Sequence, residues 1–238
     1  MKICALFSGG KDSTYALHWA VLKGFKISNL LTFQPRREDS WMFHRPGVEV
    51  TKLQAVAIGF PLYYAYTSGV KDKELEDLKN SLMEVKRKFG VEGVITGALL
   101  SDYQRMAINL ICEELNLKTF SPLWRKNQTE YMRTLINEGF KFIITSISAY
   151  GLTSKFLGKI LTEEDIEEII LRAEKYGFNP AFEGGEAETL VLEAPLFKKG
   201  IKIIGIREKI KEYSWRFKIV DAKLVAKGAA NVEVIKDA

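Results

Sequence analysis

Two short stretches of this sequence hold residues whose types and spacing fit chemistry. The first is Ser8-Gly9-Gly10-Lys11-Asp12-Ser13-Thr14, where an apolar run (residues 3–7) gives way to the helical pattern of residues 13–22. Two consecutive glycines let the backbone approach a ligand with no Cβ in the way, and the first N–H groups of the helix have no partner within it. The positive end of the helix dipole, with Lys11 beside it, favours an anion, so the turn reads as a phosphate cradle. Ser8, Ser13 and Thr14 are expected to offer hydroxyls at its rim. The second stretch is Glu183-Gly184-Gly185-Glu186-Ala187-Glu188-Thr189, three carboxylates around another Gly-Gly turn. Carboxylates repel one another, so a fold gathers them where a cation sits: Mg²⁺ beside phosphates, or an ammonium whose proton one of them takes. A surface turn with solvated acids is the plainer alternative.

The first turn lacks the four-residue insert of a Walker A loop and the G-x-G-x-x-G of a dinucleotide fold. With 238 residues, 47% of them hydrophobic and 27% charged, the chain has the composition of an ordinary globular protein of one large or two small domains. Its formal charge of +5 comes from 35 basic and 30 acidic residues, a mild excess that does not by itself establish nucleic-acid binding. Two cysteines, Cys4 and Cys112, both in apolar surroundings, exclude a disulfide framework and a C-x-x-C motif and favour a reducing, cytoplasmic setting. No apolar run approaches the roughly 20 residues of a membrane span, and none reads as a signal peptide, so no membrane partner is expected.

The elements around these stretches alternate strand and helix. Residues 3–7, 27–33, 61–67 and 91–96 read as strands, and residues 13–22, 50–58, 71–89 and 103–114 as helices, the order of a parallel sheet with crossover helices. In the first helix Ala16, Leu17, Ala20 and Val21 mark the inner stripe, Trp19 is expected in the core, and His18 at the surface or packing a partner. Residues 34–49 form a loop long enough to be functional, holding Trp41, Phe43 and His44 among arginines; alternatively Trp41 and Phe43 fold back as a local staple. Charges alternating around Leu75, Leu78, Leu82 and Val85 make residues 71–89 a solvated amphipathic helix. After the 91–96 strand come Gly97 and Ser101-Asp102-Tyr103-Gln104-Arg105. Ligands of open parallel sheets bind at that edge, which also carries the first turn. Asp102, Gln104 and Arg105 are therefore candidate ligand contacts, with helix capping by Ser101 or Asp102 as the competitor.

The alternation ends near Arg125, which sets the expected domains at 1–125 and 126–238. In the second, residues 128–138 are helical, 141–148 form a strand, and 151–159 a loop with a short helical piece. Thr162-Glu163-Glu164-Asp165 opens a helix with a capping box and acids matched to its dipole. Residues 200–227 read as two antiparallel strands.

The string SGGKDS resembles the PP-loop of the ATP pyrophosphatase superfamily, whose members cleave ATP between its α and β phosphates and pass AMP to a substrate oxygen. Three blocks stand in the order seen in the diphthine–ammonia ligase family. They are SGGKDS (8–13), GALLSDYQR (97–105) followed by Ser121-Pro122-Leu123-Trp124, and EGGEAETL (183–190) followed by Ala194-Pro195-Leu196-Phe197. The resemblance spans nearly the whole chain. It departs from the usual pattern at Ala107, Asn109 and Ala187, and in having Ala181-Phe182 where a Cys-Gly pair is common.

What the resemblance implies is an α/β protein, with a parallel-sheet PP-loop domain of HUP-like, Rossmann-like type that binds ATP, followed by a smaller α+β substrate domain. It further implies conversion of diphthine, a modified histidine of elongation factor 2, to diphthamide with ammonium, through an acyl adenylate, releasing AMP and pyrophosphate. On this reading Ser8, Gly9, Gly10, Lys11, Asp12, Ser13, Thr14, Gly97, Asp102, Gln104 and Arg105 hold ATP. Lys11, Asp12, Glu183, Glu186 and Glu188 serve catalysis, and Asp12 and Glu186 face Mg²⁺. Aromatic faces bind quaternary ammonium groups, so Trp41, Phe43 and Trp124, together with His44, Tyr103 and Thr189, are the expected contacts of diphthine. Without an N-terminal cysteine or the length for a glutaminase domain, free ammonium is the expected nitrogen source. Direct nucleic-acid binding is not expected, and a homo-oligomer stays open. Two other functions fit parts of the pattern: a PP-loop tRNA-modifying enzyme without the cysteine pair of thiolating members, and an adenine-nucleotide sensor without turnover, against which the glutamates stand.

Overall fold

A computed structural model describes residues 1–35, 50–67 and 71–237. Trp41, Phe43 and His44 lie outside the described residues. Contacts group the chain into two units, Met1–Ser8 with Asp12–Arg125, and Lys126–Ala238 with the three residues Gly9–Lys11.

The first unit runs β1 (Lys2–Leu6), α1 (Lys11–Leu22), β2 (Lys26–Pro35), α2 (Thr51–Ile58), β3 (Leu62–Thr67), α3 (Lys71–Phe89), β4 (Gly93–Ile95), α4 (Asp102–Glu114) and β5 (Lys118–Phe120). Its five strands are all parallel, in the order β3-β2-β1-β4-β5. Parallel strands covered on both faces read as unbroken apolar runs, and Ile3, Cys4 and Ala5 are indeed at most 1% exposed. Leu78, Leu82 and Val85 of α3 meet Ile108, Ile111 and Cys112 of α4 in one buried cluster, so the stripe read in residues 71–89 is the core face of that helix. Burial pushes the Cys4 thiol up to about 12 and raises that of Cys112, so both are inert, protonated core side chains.

In α1 the expected roles of His18 and Trp19 are reversed. His18 is buried and Trp19 half-buried. Every residue from Ser13 to His18 is buried, so this helix is enclosed around most of its circumference, where a one-sided stripe assumes a surface helix. The three-residue strand β5 was not expected at all.

The second unit comprises α5 (Gln128–Asn137), β6 (Lys141–Ile147), a 3₁₀ turn (Ser154–Phe156), α6 (Glu163–Tyr176), β7 (Ala187–Glu193), β8 (Lys199–Lys211), β9 (Ser214–Ala226) and β10 (Asn231–Asp237). Its sheet is mixed, in the order β10-β8-β9-β6-β7. The β8–β9 hairpin, β6–β9 and β6–β7 are antiparallel, and β10 adds parallel to β8. The capping box of α6 is present in full: the Thr162 hydroxyl accepts from the Asp165 N–H, and Asp165 accepts from the Thr162 N–H at 2.9 Å. Ile166, Ile169 and Ala173 carry the helix onto the core, and Gly177 ends it with φ 76°. Strands β7 and β10 were not read from the sequence; the Gly-Gly turn masked the first, and a bulge interrupts the alternation of the second. Among the described residues no helix is long and apolar enough to cross a membrane.

Candidate functional site

In the first unit, β1 and β4 are parallel neighbours, and both end at the same sheet edge. The chain leaves β1 towards β2 and β4 towards β5, in opposite directions, so the crevice beyond them is the topological switch point where such sheets bind ligands. The turn after β1 is anchored on β2: the Phe7 N–H donates to Leu31 O at 2.8 Å, and Phe7 O accepts from Thr32 Oγ1 at 2.6 Å. The Ser8 N–H donates to Ser13 Oγ at 3.2 Å, and the two hydroxyls lie 3.1 Å apart, so Ser13 closes the turn from its far side. Ser13 and Thr14 are 7% and 1% exposed, inside the turn where a place at the rim was expected.

Gly97, placed by sequence among the nucleotide contacts, has a more specific reason to be glycine. A Cβ there would fall 2.6 Å from Asp12 C and Ser13 N and 2.7 Å from Asp12 O, all backbone atoms. The loop after β4 therefore lies directly on the start of α1. Beyond it Ser101 caps α4, accepting from the Gln104 N–H at 3.3 Å. Arg105 reaches Asp102 at 3.7 Å and spreads over the Trp124 ring at 4.3 Å, with Arg125 at 5.7 Å from the same ring. Asp102 and Tyr103 are exposed and Gln104 half-buried. The π-face of Trp124 thus already carries a guanidinium, which leaves less of it for a trimethylammonium group. This pairing of residues 19 apart had no signal in the sequence.

Within the second unit, Gly9–Lys11 line up along the edge of β7 that β6 leaves open. Gly9, buried and at φ 81°, accepts from the Val191 N–H at 2.9 Å, and the Lys11 N–H donates to Thr189 Oγ1 at 3.2 Å. Lys11 is 2% exposed, and its Nζ stands 5.5 Å from the centre of the Phe182 ring. Phe182 itself sits at φ 66°, a conformation glycine adopts freely and a large side chain rarely. Sequence reading missed this residue as a neighbour of Lys11; its signal was the departure from a Cys-Gly pair at that position.

The carboxylate expected to face a cation is engaged elsewhere. Glu186 Oε1 accepts from the Asn179 N–H at 2.9 Å, Oε2 accepts from the Gly184 N–H at 2.7 Å, and its backbone O accepts from the Ser148 N–H at 2.8 Å. Both carboxylate oxygens therefore hold the 179–186 loop closed, helped by Asn179 Oδ1, which accepts from the Ala181 N–H. Glu183 and Glu188 are half-buried. Among the described residues no three His, Cys, Asp or Glu side chains stand close enough to hold a metal ion, which bears on the Mg²⁺ reading of Glu183, Glu186 and Glu188 and not on the ammonium one. Each Glu186 oxygen thus spends one of its lone pairs on the backbone of its own loop.

Fold and turn together define a class, an α/β unit with a Gly-Gly-Lys turn at its switch point, joined in sequence to a unit with a mixed sheet. The family described as diphthamide synthase N-terminal domain matches residues 1–119, and its C-terminal domain matches residues 127–225. The chain is 38% identical over 223 residues to diphthine–ammonia ligase of Mus musculus, covering 85% of this chain and 83% of that protein. To that of Homo sapiens it is 37% identical over 221 residues, covering 84% and 82%. The Schizosaccharomyces pombe protein of the same name is 36% identical over 217 residues, which cover 84% of this chain and 36% of that one. This chain belongs to the diphthine–ammonia ligase family. A solved structure described as a tRNA methyltransferase subunit from Methanocaldococcus jannaschii covers 82% of this chain and 99% of that chain at 18% identity, with a TM-score of 0.38, and no argument rests on it.

Proposed function

We propose that this chain is an AMP-forming ligase that amidates diphthine on elongation factor 2 with ammonium, in the cytoplasm. The observation that carries the reading is the Ser8–Ser13 turn at the β1/β4 switch point, on a chain of this family. A carboxylate oxygen of the substrate attacks the α-phosphorus of ATP, and the bond to the β-phosphate oxygen breaks. Charge grows on the departing pyrophosphate, and a preorganised cation stabilises it. Lys11 acts here through its ammonium, because its N–H is given to Thr189. Ammonia then attacks the acyl carbon, AMP leaves, and the nitrogen loses a proton to solvent or to a nearby carboxylate. Glu183, Glu186 and Glu188 are the candidates for that base, and Glu186 is the one that also ties its own loop. Mg²⁺ bound with ATP would neutralise phosphate charge; Asp12 is the protein carboxylate that fits it, and one carboxylate with phosphates is a usual Mg²⁺ set.

One assay tests the reading: ATP and ammonium are incubated with the protein and either diphthine-bearing elongation factor 2 or bulk tRNA, and AMP is followed. AMP released only with the factor supports it. AMP released with tRNA, or equally with ATP alone, overturns it.

A further inference from the structure

The formal charge of +5 is not spread along the chain. Residues 199–238 hold ten Lys and Arg against five Asp and Glu, whereas the 198 residues before them hold 25 of each. The entire net charge thus lies on the segment that forms β8, β9 and β10. Strand residues alternate between faces. Ile201 and Ile203 of β8 are fully buried, so Lys202, Ile204 and Ile206 point the other way. Across that outward face Lys202 stands opposite Lys223, and Ile206 stands between Lys218 of β9 and Lys236 of β10. Like charges directly opposite on a ladder destabilise it; here Glu233 lies against Lys202 and in the field of Lys223 and offsets one of the two charges, which leaves the face a net positive.

The face is apolar as well as basic. Register shifts leave Val220 in β9 and Ile235 in β10 as the extra residue of a bulge, and these are 55% and 53% exposed. Acids are interleaved too: Glu233 pairs with Lys202 at 2.7 Å, and Glu208 approaches Arg216 at 3.8 Å. The two glutamates are engaged by bases of the same face, so the discriminating feature is the exposed valine and isoleucine, from which a phosphate backbone gains nothing. A folded protein with an acidic, partly apolar patch matches the lysines and the apolar side chains together.

We propose that the outward face of β8–β9–β10 is the docking surface for the protein whose carboxylate is amidated, recognised through an acidic patch on that protein. This rests on the function proposed above. The face steers and holds the macromolecule, and takes no part in the chemistry of ATP.

The test uses the full chain and a double variant, Lys218→Glu with Lys223→Glu. A glutamate at 223 gains Lys202 opposite it but stands near Glu233, so the melting temperature is measured alongside, with Lys218→Gln and Lys223→Gln as the neutral variant that removes the same two positive charges. Binding of labelled, diphthine-bearing elongation factor 2 is measured separately from its turnover. The expected result is that the variant's Kd for the factor rises about tenfold at about 50 mM salt and that the difference largely closes at about 500 mM. KM for ATP stays unchanged. An unchanged Kd, an equal rise in KM for ATP, or loss of labelled tRNA binding with factor binding intact would overturn the proposal. Wild-type protein that binds the factor through this face without amidating it leaves the docking surface standing and removes the function.

Discussion

The two Gly-Gly turns of this chain share a dipeptide and differ in what holds them. Gly184-Gly185 is exposed and closed locally, by a carboxylate two residues away that grips two N–H groups of its own loop. Gly9-Gly10 is closed by residues far off in sequence: Thr189 and Val191 of β7 bond to Lys11 and Gly9. The second turn is held mostly within its own loop, whereas the first takes two of its bonds from a strand at least 178 residues further on. The same two glycines therefore serve a self-contained loop in one place and a preorganised site in the other.

Four substitutions break or sharpen this contrast. Lys11→Ala should cut pyrophosphate release by about 100-fold or more, the scale of losing a main electrostatic stabiliser of the leaving group; retained release measured with a coupled phosphate assay would remove the first turn from the chemistry. Gly97→Ala drives a Cβ into the backbone at Asp12 and Ser13, and overpacking of that kind should cost about 2–3 kcal/mol, read as a lower denaturant midpoint. An unchanged midpoint would mean that the start of α1 yields easily.

Glu186→Gln keeps the shape of the side chain but turns one of its two acceptors into a donor, leaving one N–H of the second loop unpaired. A loss of about 1–2 kcal/mol in stability is expected, with turnover per folded molecule little changed. The reverse, full stability with turnover gone, would make Glu186 a proton acceptor and erase the distinction between the two turns. The smallest effect belongs to Thr189→Val, which removes the acceptor for the Lys11 N–H. A net hydrogen bond of about 1 kcal/mol lost from the fold corresponds to a melting temperature lower by about 2–4 °C, with at most a several-fold rise in KM for ATP and Thr189→Ser restoring both.

Much of the frame was readable from local pattern. The charge alternation of α3 and the capping box of α6 lie within one window each, and a short window determines both. The apolar run, glycine pair and lysine of the first turn likewise announced a strand end and helix start. What escaped depends on which partner a side chain takes, near or far. Residue type does not say that Glu186 is held by Asn179 and Gly184 of its own loop, and no local feature says that the Trp124 ring is covered by Arg105. Strand β5 has three residues, too few for a period, and β10 carries a bulge that breaks its alternation. His18 was misread because amphipathic reasoning assumes one wet face, and α1 is enclosed through its first turns.

The bonds from β7 to Gly9 and Lys11 also set an order of events during synthesis. Lys11 and Thr189 are 178 residues apart, so at about 5–20 residues per second the first glycine turn leaves the ribosome on the order of ten seconds or more before the strand that bonds to it. A nascent chain that has made only the first unit carries the full SGGKDS string with the bonds from Phe7 to β2 and from Ser8 to Ser13, but without those from β7 to Gly9 and Lys11. Gly9 and Lys11 therefore gain these partners only once β7 has been made.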